Sequence, residues 1–147
     1  MKKICLLLVI ILLVLSFAGC NKTYYWQFDR GFEEIVEIKI VDMSKLGLEY
    51  CSTIDDFHVI KEIDLKFVED LCADISSIPY HFFPSMPDPW GKCFLIVFNN
   101  GEFDLISADG PTRVRYEDGK LTFIRTEIWY GNDANEFEQL INKYLNS

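Results

Sequence analysis

The chain has 147 residues, half of them hydrophobic, which is long enough for a domain with its own packed core. Its formal net charge is −9, with 23 acidic and 14 basic residues. Because nucleic acid and anionic lipid headgroups repel an acidic surface, the composition argues against nucleic-acid binding and against membrane attachment through a basic patch.

The first nineteen residues have the layout of a secretory signal. Lys2 and Lys3 precede an apolar run over residues 4–17, and two small residues, Ala18 and Gly19, follow it. A positive segment, an apolar segment and small residues before the cleavage point are the parts of such a signal. The apolar run is shorter than the roughly 20 residues that a membrane-spanning helix needs.

The tetrapeptide FAGC at residues 17–20 resembles the lipobox of bacterial lipoproteins. The resemblance implies cleavage after Gly19, a diacylglycerol on the sulfur of Cys20, and a mature N-terminus at Cys20. It therefore implies a lipid-anchored protein on the extracytoplasmic side of the cell membrane. Two acyl chains meet the two-signal requirement for stable anchoring. The alternative is an uncleaved signal anchor in which Cys20 has no role.

We predict a signal peptide over residues 1–19, a lipidated cysteine with a short tether over residues 20–32, and a single domain over residues 33–147. The tether contains no long Ser-, Gly- or Pro-rich linker, so the domain is expected close to the bilayer. Tyr24, Tyr25 and Trp26 fit two roles. Their rings suit the headgroup level, and they also suit the start of a core.

Two strands are predicted early in the domain. In residues 34–42, Val36, Ile38 and Ile40 fall on one face and charged residues fall on the other, which indicates a half-buried strand. Residues 57–63 predict a second strand.

Two helices are predicted, one in the middle of the domain and one at its end. Asp64 is a candidate N-cap for a helix that ends near Ser77, and a short strand follows at residues 80–83. Asp133, with Glu136 three residues later, resembles a capping box at the start of the second helix. The apolar stripes comprise Phe67, Val68, Leu71, Cys72 and Ile75 in the first helix and Phe137, Leu140, Ile141 and Tyr144 in the second.

Two hairpins are predicted from turn dipeptides. Asn100-Gly101 suits a two-residue turn, which would pair Phe98 with Phe103. The residues then expected on one face are Phe94, Ile96, Phe98, Phe103 and Leu105.

Asp118-Gly119 predicts the second hairpin, in which Val114 lies opposite Phe123. Strands grouped apart from helices favour an α+β fold. We expect an antiparallel sheet of about five to seven strands with the two helices packed on one face.

The loop between residues 82 and 90 is a candidate contact surface. It combines three prolines with Phe83, Met86 and Trp90. Prolines reduce the entropy lost on binding, and such large side chains are enriched in interface cores. The alternative is that the aromatic rings fold back over one end of the core.

A second candidate surface lies on the face of the sheet that should be polar. Leu95 and Val97 fall there, and Arg113 and Arg115 continue it on the next hairpin. Since the free face of an antiparallel sheet is normally polar, either a loop covers these residues or a partner does.

Three cysteines remain in the domain, and an odd number permits one disulfide or none. Cys72 lies on an apolar helix face and Cys93 opens an apolar strand. Both fit the pattern of small buried side chains. We favour this interpretation over a disulfide scaffold, and the sequence leaves open which two of Cys51, Cys72 and Cys93 would pair if a disulfide formed.

No motif for a cofactor or a metal ion is found in the sequence. His58 and His81 are the two histidines, and neither belongs to a metal-binding spacing. Aspartates fall mostly in turns, where turn propensity explains them. A hydrolase that uses Asp55, Asp56 or Asp88 would need an enclosed pocket with a strongly perturbed acid.

The segments FHVIKEIDLKFVEDL, FLIVFNNGEFDLIS and EFEQLINKYL together resemble small, uncharacterised surface lipoproteins of Gram-positive bacteria. The resemblance implies a location and a shape, and it brings no active site. The sequence favours a binding or interaction module that acts on a protein, a peptide or an envelope component. The alternatives are the hydrolase and a protective or inhibitory lipoprotein that masks an envelope target.

Overall fold

The computed structural model describes residues 23–44, 48–82, 91–126, 129–130 and 134–147. The elements in chain order are β1 (Thr23–Tyr24), β2 (Ile35–Asp42), β3 (His58–Glu62), α1 (Val68–Ser77), β4 (Tyr80–Phe82), β5 (Lys92–Phe98), β6 (Glu102–Ser107), β7 (Gly110–Glu117), β8 (Lys120–Thr126), β9 (Trp129–Tyr130) and α2 (Ala134–Leu145). Six strands form one antiparallel sheet in the order β3-β2-β5-β6-β7-β8, and three short strands form a second in the order β1-β4-β9.

The predicted α+β class, the number of strands in the main sheet and the two helices are confirmed. Within the described residues, neither helix is long and apolar enough to cross a membrane.

Strand β2 departs from the predicted alternation at one residue. Ile35 and Glu37 pair with consecutive residues of β5, so Val36 is an extra residue without a partner in that ladder. Such a β-bulge turns the extra side chain away from its expected side. Val36 is 51% exposed, whereas Ile38 and Ile40 are buried. The prediction that Val36 shares their face is therefore wrong.

The central hairpin has a register different from the predicted one. Val97 pairs with Phe103, so the loop between β5 and β6 contains three residues rather than two. Gly101 closes this loop with a φ of +81° and donates its N–H to the carbonyl of Phe98 at 3.0 Å. Three-residue loops that end in a left-handed glycine are a common hairpin connection. The predicted pairing of Phe98 with Phe103 is wrong by one residue.

A one-residue shift exchanges the two faces of a strand, so the five residues expected on one face are divided between two. We call the two faces of the six-stranded sheet face A and face B. Face A carries Ile38, Ile40, Phe94, Ile96 and Phe98. Face B carries Val41, Cys93, Leu95, Val97, Phe103, Leu105 and Val114.

The hairpin between β7 and β8 has the predicted register. Glu117 pairs with Lys120 and Val114 pairs with Phe123. Asp118 and Gly119 take φ angles of 51° and 73°, as a two-residue turn of this type requires. This prediction is confirmed.

The predicted helix patterns also agree with the structure. Asp64 accepts a hydrogen bond from the N–H of Lys66 at 3.0 Å and caps a single 3₁₀ turn that leads into α1. The short strand expected after α1 is β4. The capping residue expected for α2, Asp133, lies outside the described residues. The buried helix residues belong to the same apolar cluster as face A; they are Leu71, Cys72, Ile75, Phe137, Ile141 and Tyr144.

The chain between β2 and β3, which includes short 3₁₀ turns at Leu48–Tyr50 and Ile54–Asp56, covers face B. Its described residues contribute Met43, Leu48, Cys51 and Phe57 to the cluster of buried residues on that face. The ring of Phe57 meets the ring of Phe103 edge-on, with the centroids 5.8 Å apart. The apolar residues of face B are therefore part of the interior.

Residues 23–34, which we call the strap, belong to the domain. Strand β1 pairs with β4, Trp26 is buried in the cluster of face A, and a 3₁₀ turn ends the strap at Glu34. The predicted tether is therefore wrong from Thr23 onward, because these residues have partners in the fold. Of the two roles considered for Trp26, the core role is the one observed.

The bulge in β2 leads to an expected difference between two neighbouring substitutions. Ile38→Ala removes a buried side chain and should lower the free energy of unfolding by about 2–5 kcal/mol. Val36→Ala removes an exposed side chain and should change it by about 0.5 kcal/mol or less. Urea unfolding of both variants measures the difference. Equal losses would contradict the bulge.

Candidate functional site

An ion pair lies buried on face A of the main sheet. Asp104 of β6 and Arg113 of β7 lie directly opposite each other and are 0% and 2% exposed. Arg113 donates from Nε to Oδ1 of Asp104 at 2.6 Å and from Nη2 to Oδ2 at 2.9 Å. Two parallel bonds of this kind form the strongest type of arginine–carboxylate pair.

The strand register places this pair beside the apolar core. Ile96 of β5 pairs with Asp104, so the ion pair continues the row of side chains on face A. The guanidinium of Arg113 also lies over the ring of Phe98, 4.8 Å from its centroid. Such a contact between a cation and an aromatic ring is favourable, and more so where water is excluded.

The strap supplies further partners for this charged part of face A. Asp29 accepts a hydrogen bond from Nη1 of Arg113 at 2.5 Å, and its side chain is 53% exposed. Arg30 forms an ion pair with the buried Glu102 of β6 and lies over the ring of Phe98 at 5.2 Å.

Glu102 also lies near a second arginine of the sheet, Arg115. Nη1 of Arg115 lies 3.7 Å from Oε1 of Glu102, and Nη2 of Arg115 contacts Glu117. Each buried group that the strap contacts therefore has another partner on the sheet: Arg113 has Asp104, and Glu102 has Arg115.

The charge on Arg113 is permanent. Burial alone would lower the pKa of Arg113, but the hydrogen bonds and charge of Asp104, and then those of Asp29, outweigh burial and raise it above its ordinary value. A guanidinium in this state donates hydrogen bonds at any physiological pH and does not transfer protons. The arrangement can therefore recognise a carboxylate, but Arg113 is not a general acid or base.

Two clefts border the helices. The larger has a volume of about 370 Å³ and lies between α1 and α2, with Asp74, Leu140 and Lys143 among its lining residues. The smaller, of about 210 Å³, lies between the strap and α1, and its walls include Phe28 and Arg30. The smaller cleft adjoins the charged site through Arg30.

The predicted contact residues do not form one site. Phe83, Met86 and Trp90 lie outside the described residues. Leu95 and Val97 are 0% and 7% exposed, so the prediction that they form a contact surface is wrong. Both residues lie on the face of β5 opposite Phe94 and Ile96, as expected, but the chain between β2 and β3 covers that face, which is the first of the two alternatives given for this surface.

The two predicted arginines lie near each other, in different environments. Arg113 is buried and paired with Asp104, so it is not part of an exposed surface. Arg115 is 37% exposed and paired with two glutamates.

The acids considered for hydrolysis and the two histidines do not come together in one enclosed site among the described residues. Asp56 accepts hydrogen bonds from the N–H groups of Ser52 and Thr53 at 2.7 and 3.0 Å, and these bonds lower its pKa. Asp55 is exposed as well, so neither acid lies in the enclosed pocket that the hydrolase hypothesis requires, and Asp88 lies outside the described residues. His58 and His81 are exposed. Within the described part of the chain, no group of three or more His, Cys, Asp or Glu side chains is placed to hold a metal ion.

The three cysteines of the domain are buried thiols, and the burial predicted for Cys72 and Cys93 is confirmed. Burial, and then the negative charge of Asp104, raise the pKa of Cys72 to about 12. Burial is also the main reason for the raised pKa of Cys51. Thiols of this kind are unreactive at neutral pH.

Sequence reasoning missed Asp29, Arg30 and Glu102. The sequence placed the first two in a tether, and the hairpin register assigned β6 residues to the wrong faces. The available signal was Asp104, an acid within an apolar strand, which needs a buried cation. Arg113 on the next strand is that cation.

A scan against protein-family models and searches of curated proteins and of solved structures found no match to this chain.

The buried pair leads to an expected asymmetry between two arginines of β7. Arg113→Met leaves the carboxylate of Asp104 buried without its partner and should lower the free energy of unfolding by about 3–5 kcal/mol. Arg115→Met removes a partly exposed cation from the same strand and should cost about 1 kcal/mol or less. Asp104→Leu combined with Arg113→Met should recover most of the loss, since replacing a whole buried pair by apolar residues is often neutral. Equal costs for the two single variants in urea unfolding would contradict the pairing.

Proposed function

We propose that this chain is a lipid-anchored, extracytoplasmic binding module that is attached to the membrane by a diacylglycerol on Cys20. The observation that supports this most is the position of the strap. Strand β1 begins at Thr23, so in the proposed mature chain Asn21 and Lys22 would separate the lipidated Cys20 from β1. A domain joined so closely to its anchor would stay beside the bilayer and would have little freedom to turn away from it.

We also infer that α1 and α2 pack together on face A. The ring of Phe94 contacts the rings of Phe137 and Tyr144 from α2, each with centroids 5.9 Å apart. The ring of Phe67, just before α1, meets the ring of Tyr144 at 6.5 Å. Because chain segments cover both faces of the sheet, a partner would contact the loops and the strap.

The proposed partner is a protein or a peptide. Phe83, Met86 and Trp90 remain the proposed contact residues of the loop that contains them, because large side chains in a proline-rich segment suit an interface core. Arg115, which is partly exposed, is the proposed polar contact on the sheet. A protective or inhibitory lipoprotein that masks an envelope target is a variant of this proposal and differs only in its partner.

Crosslinking on intact cells tests the proposal, with the crosslinked species identified by mass spectrometry. The wild-type chain should fractionate with membranes, carry fatty acid on Cys20 and give a specific protein partner. Cys20→Ala should lose the fatty acid and leave that partner uncrosslinked, because the domain is no longer held at the membrane surface. Membrane fractionation that Cys20→Ala does not change would contradict the anchor.

The same assay tests the contact loop. Trp90→Ala should weaken partner binding by about 2 kcal/mol or more if Trp90 is a central contact residue. Tyr50→Ala is the matched control, because Tyr50 is an exposed aromatic residue on a different segment. A Trp90→Ala variant that folds and binds as well as the Tyr50→Ala variant would contradict the assignment of Trp90.

A further inference from the structure

The strap and the sheet meet through two pairs of opposite charge in a fixed order. Asp29 contacts Arg113, and the next residue, Arg30, contacts Glu102. The sheet therefore offers one buried cation and one buried anion to two consecutive residues of an extended segment. Phe98 lies beneath both guanidiniums.

The sheet side of this arrangement does not depend on the strap for neutralisation. Arg113 keeps its two hydrogen bonds to Asp104, and Glu102 keeps Arg115 at 3.7 Å. Removing one member of a buried pair normally costs about 3–5 kcal/mol because a bare charge is left behind. Lifting the strap would leave no such bare charge on the sheet.

On the strap side, Phe28 packs against the cluster of face A and edge-on against Trp26, so displacement exposes that ring, whereas the charged contacts of the strap cost less to separate. Asp29 is already half exposed to water, and ion pairs with that exposure contribute little to stability. Arg30 has a second partner inside the strap, since its Nη1 lies 3.6 Å from Glu34. Residues 25–31 belong to no helix or strand.

We propose that Arg113 and Glu102 form a two-point binding site for an extended peptide segment in which an acidic residue precedes an arginine, and that Asp29 and Arg30 occupy this site in cis. A partner segment of the same pattern would displace residues 27–33 while Trp26 and Ile35, both buried, hold the ends of the strap.

The net charge of the chain supports an acid–base pair over a purely acidic ligand. A chain with a net charge of −9 repels an acidic peptide at long range. An Asp-Arg pair is neutral overall, so its recognition depends on short-range contacts. Specificity follows from the order of the two charges, because the reversed order would place like charges together.

This inference names the ligand class of the proposed binding module, but its test does not require membrane anchoring. The purified full-length chain is compared with Asp29→Ala, which empties the position on Arg113. Glu37→Ala is the matched control, because Glu37 pairs with Lys39 at 2.8 Å and is also partly exposed. Thermal unfolding is followed in sodium acetate and in sodium chloride of equal ionic strength.

Acetate should raise the melting temperature of Asp29→Ala by about 3 °C more than it raises that of wild type or Glu37→Ala, and the effect should saturate. Equal shifts in all three proteins would overturn the proposal. An Asp29→Ala chain that does not fold even in acetate would also overturn it, because Asp29 would then be a structural requirement and not a displaceable occupant.

A second set of measurements with short peptides tests whether the site binds a peptide carboxylate better than free acetate. Acetyl-Phe-Asp-Arg-amide, which copies residues 28–30, should stabilise Asp29→Ala at concentrations at least about tenfold lower than acetate, since it adds the second contact to Glu102. Acetyl-Phe-Asn-Arg-amide should have no comparable effect. An aspartate peptide no better than acetate would overturn the peptide assignment. Failure of the cell crosslinking experiment would leave these results unaffected, so the two proposals fail separately.

Discussion

A guanidinium buried with a single carboxylate is neutralised by that carboxylate, and its remaining donors can bind a further acceptor. Arg113 uses two donor groups on Asp104 and one on Asp29. The strap supplies this third acceptor where it crosses face A, in addition to the two bonds that Arg113 makes within the sheet. Glu102, Arg30 and Arg115 gather around the pair, and each brings a charge that balances its neighbour.

The pair divides face A into an apolar part and a charged part. Beside β2 and β5, apolar side chains pack into one cluster with buried residues of both helices. Beside β6 and β7, the same face is charged, and the strap covers it. If a lipid is attached to Cys20, it lies just before the strap. The membrane attachment and the strap's contacts with the charged site would then belong to one short segment of the chain. This connection gives the proposed binding module a physical basis.

Local patterns predicted much of the fold. The 3.6-residue periodicity identified both helices, and Asp118-Gly119 fixed one hairpin, because each signal depends on neighbouring residues alone. The predicted register of the central hairpin was wrong because Asn100-Gly101 fits both a two-residue and a three-residue loop. Both strands also carry apolar residues on both faces, so the hydrophobic pattern did not distinguish the two registers. The predicted face of Val36 was wrong because the position of a β-bulge depends on pairing with the partner strand.

The candidate site was harder to predict than the fold. Asp29 and Arg113 are far apart in sequence, and the one local signal in residues 23–34, the aromatic run from Tyr24 to Trp26, fitted a membrane surface as well as a core. Apolar side chains on the second face, such as Leu95, suggested a partner surface. Their actual cover comes from the chain between β2 and β3, which has no regular periodicity to predict it.

The most direct test of the account is ¹⁵N NMR of the arginine side chains in the full-length protein. A guanidinium held by three carboxylate bonds and shielded from water should show a slowly exchanging Nε proton and restricted rotation of its Nη groups. The account predicts this behaviour for Arg113 and averaged, rapidly exchanging signals for the partly exposed Arg115. Averaged signals and rapid exchange at Arg113 would contradict the buried pair from which the strap and the site are derived.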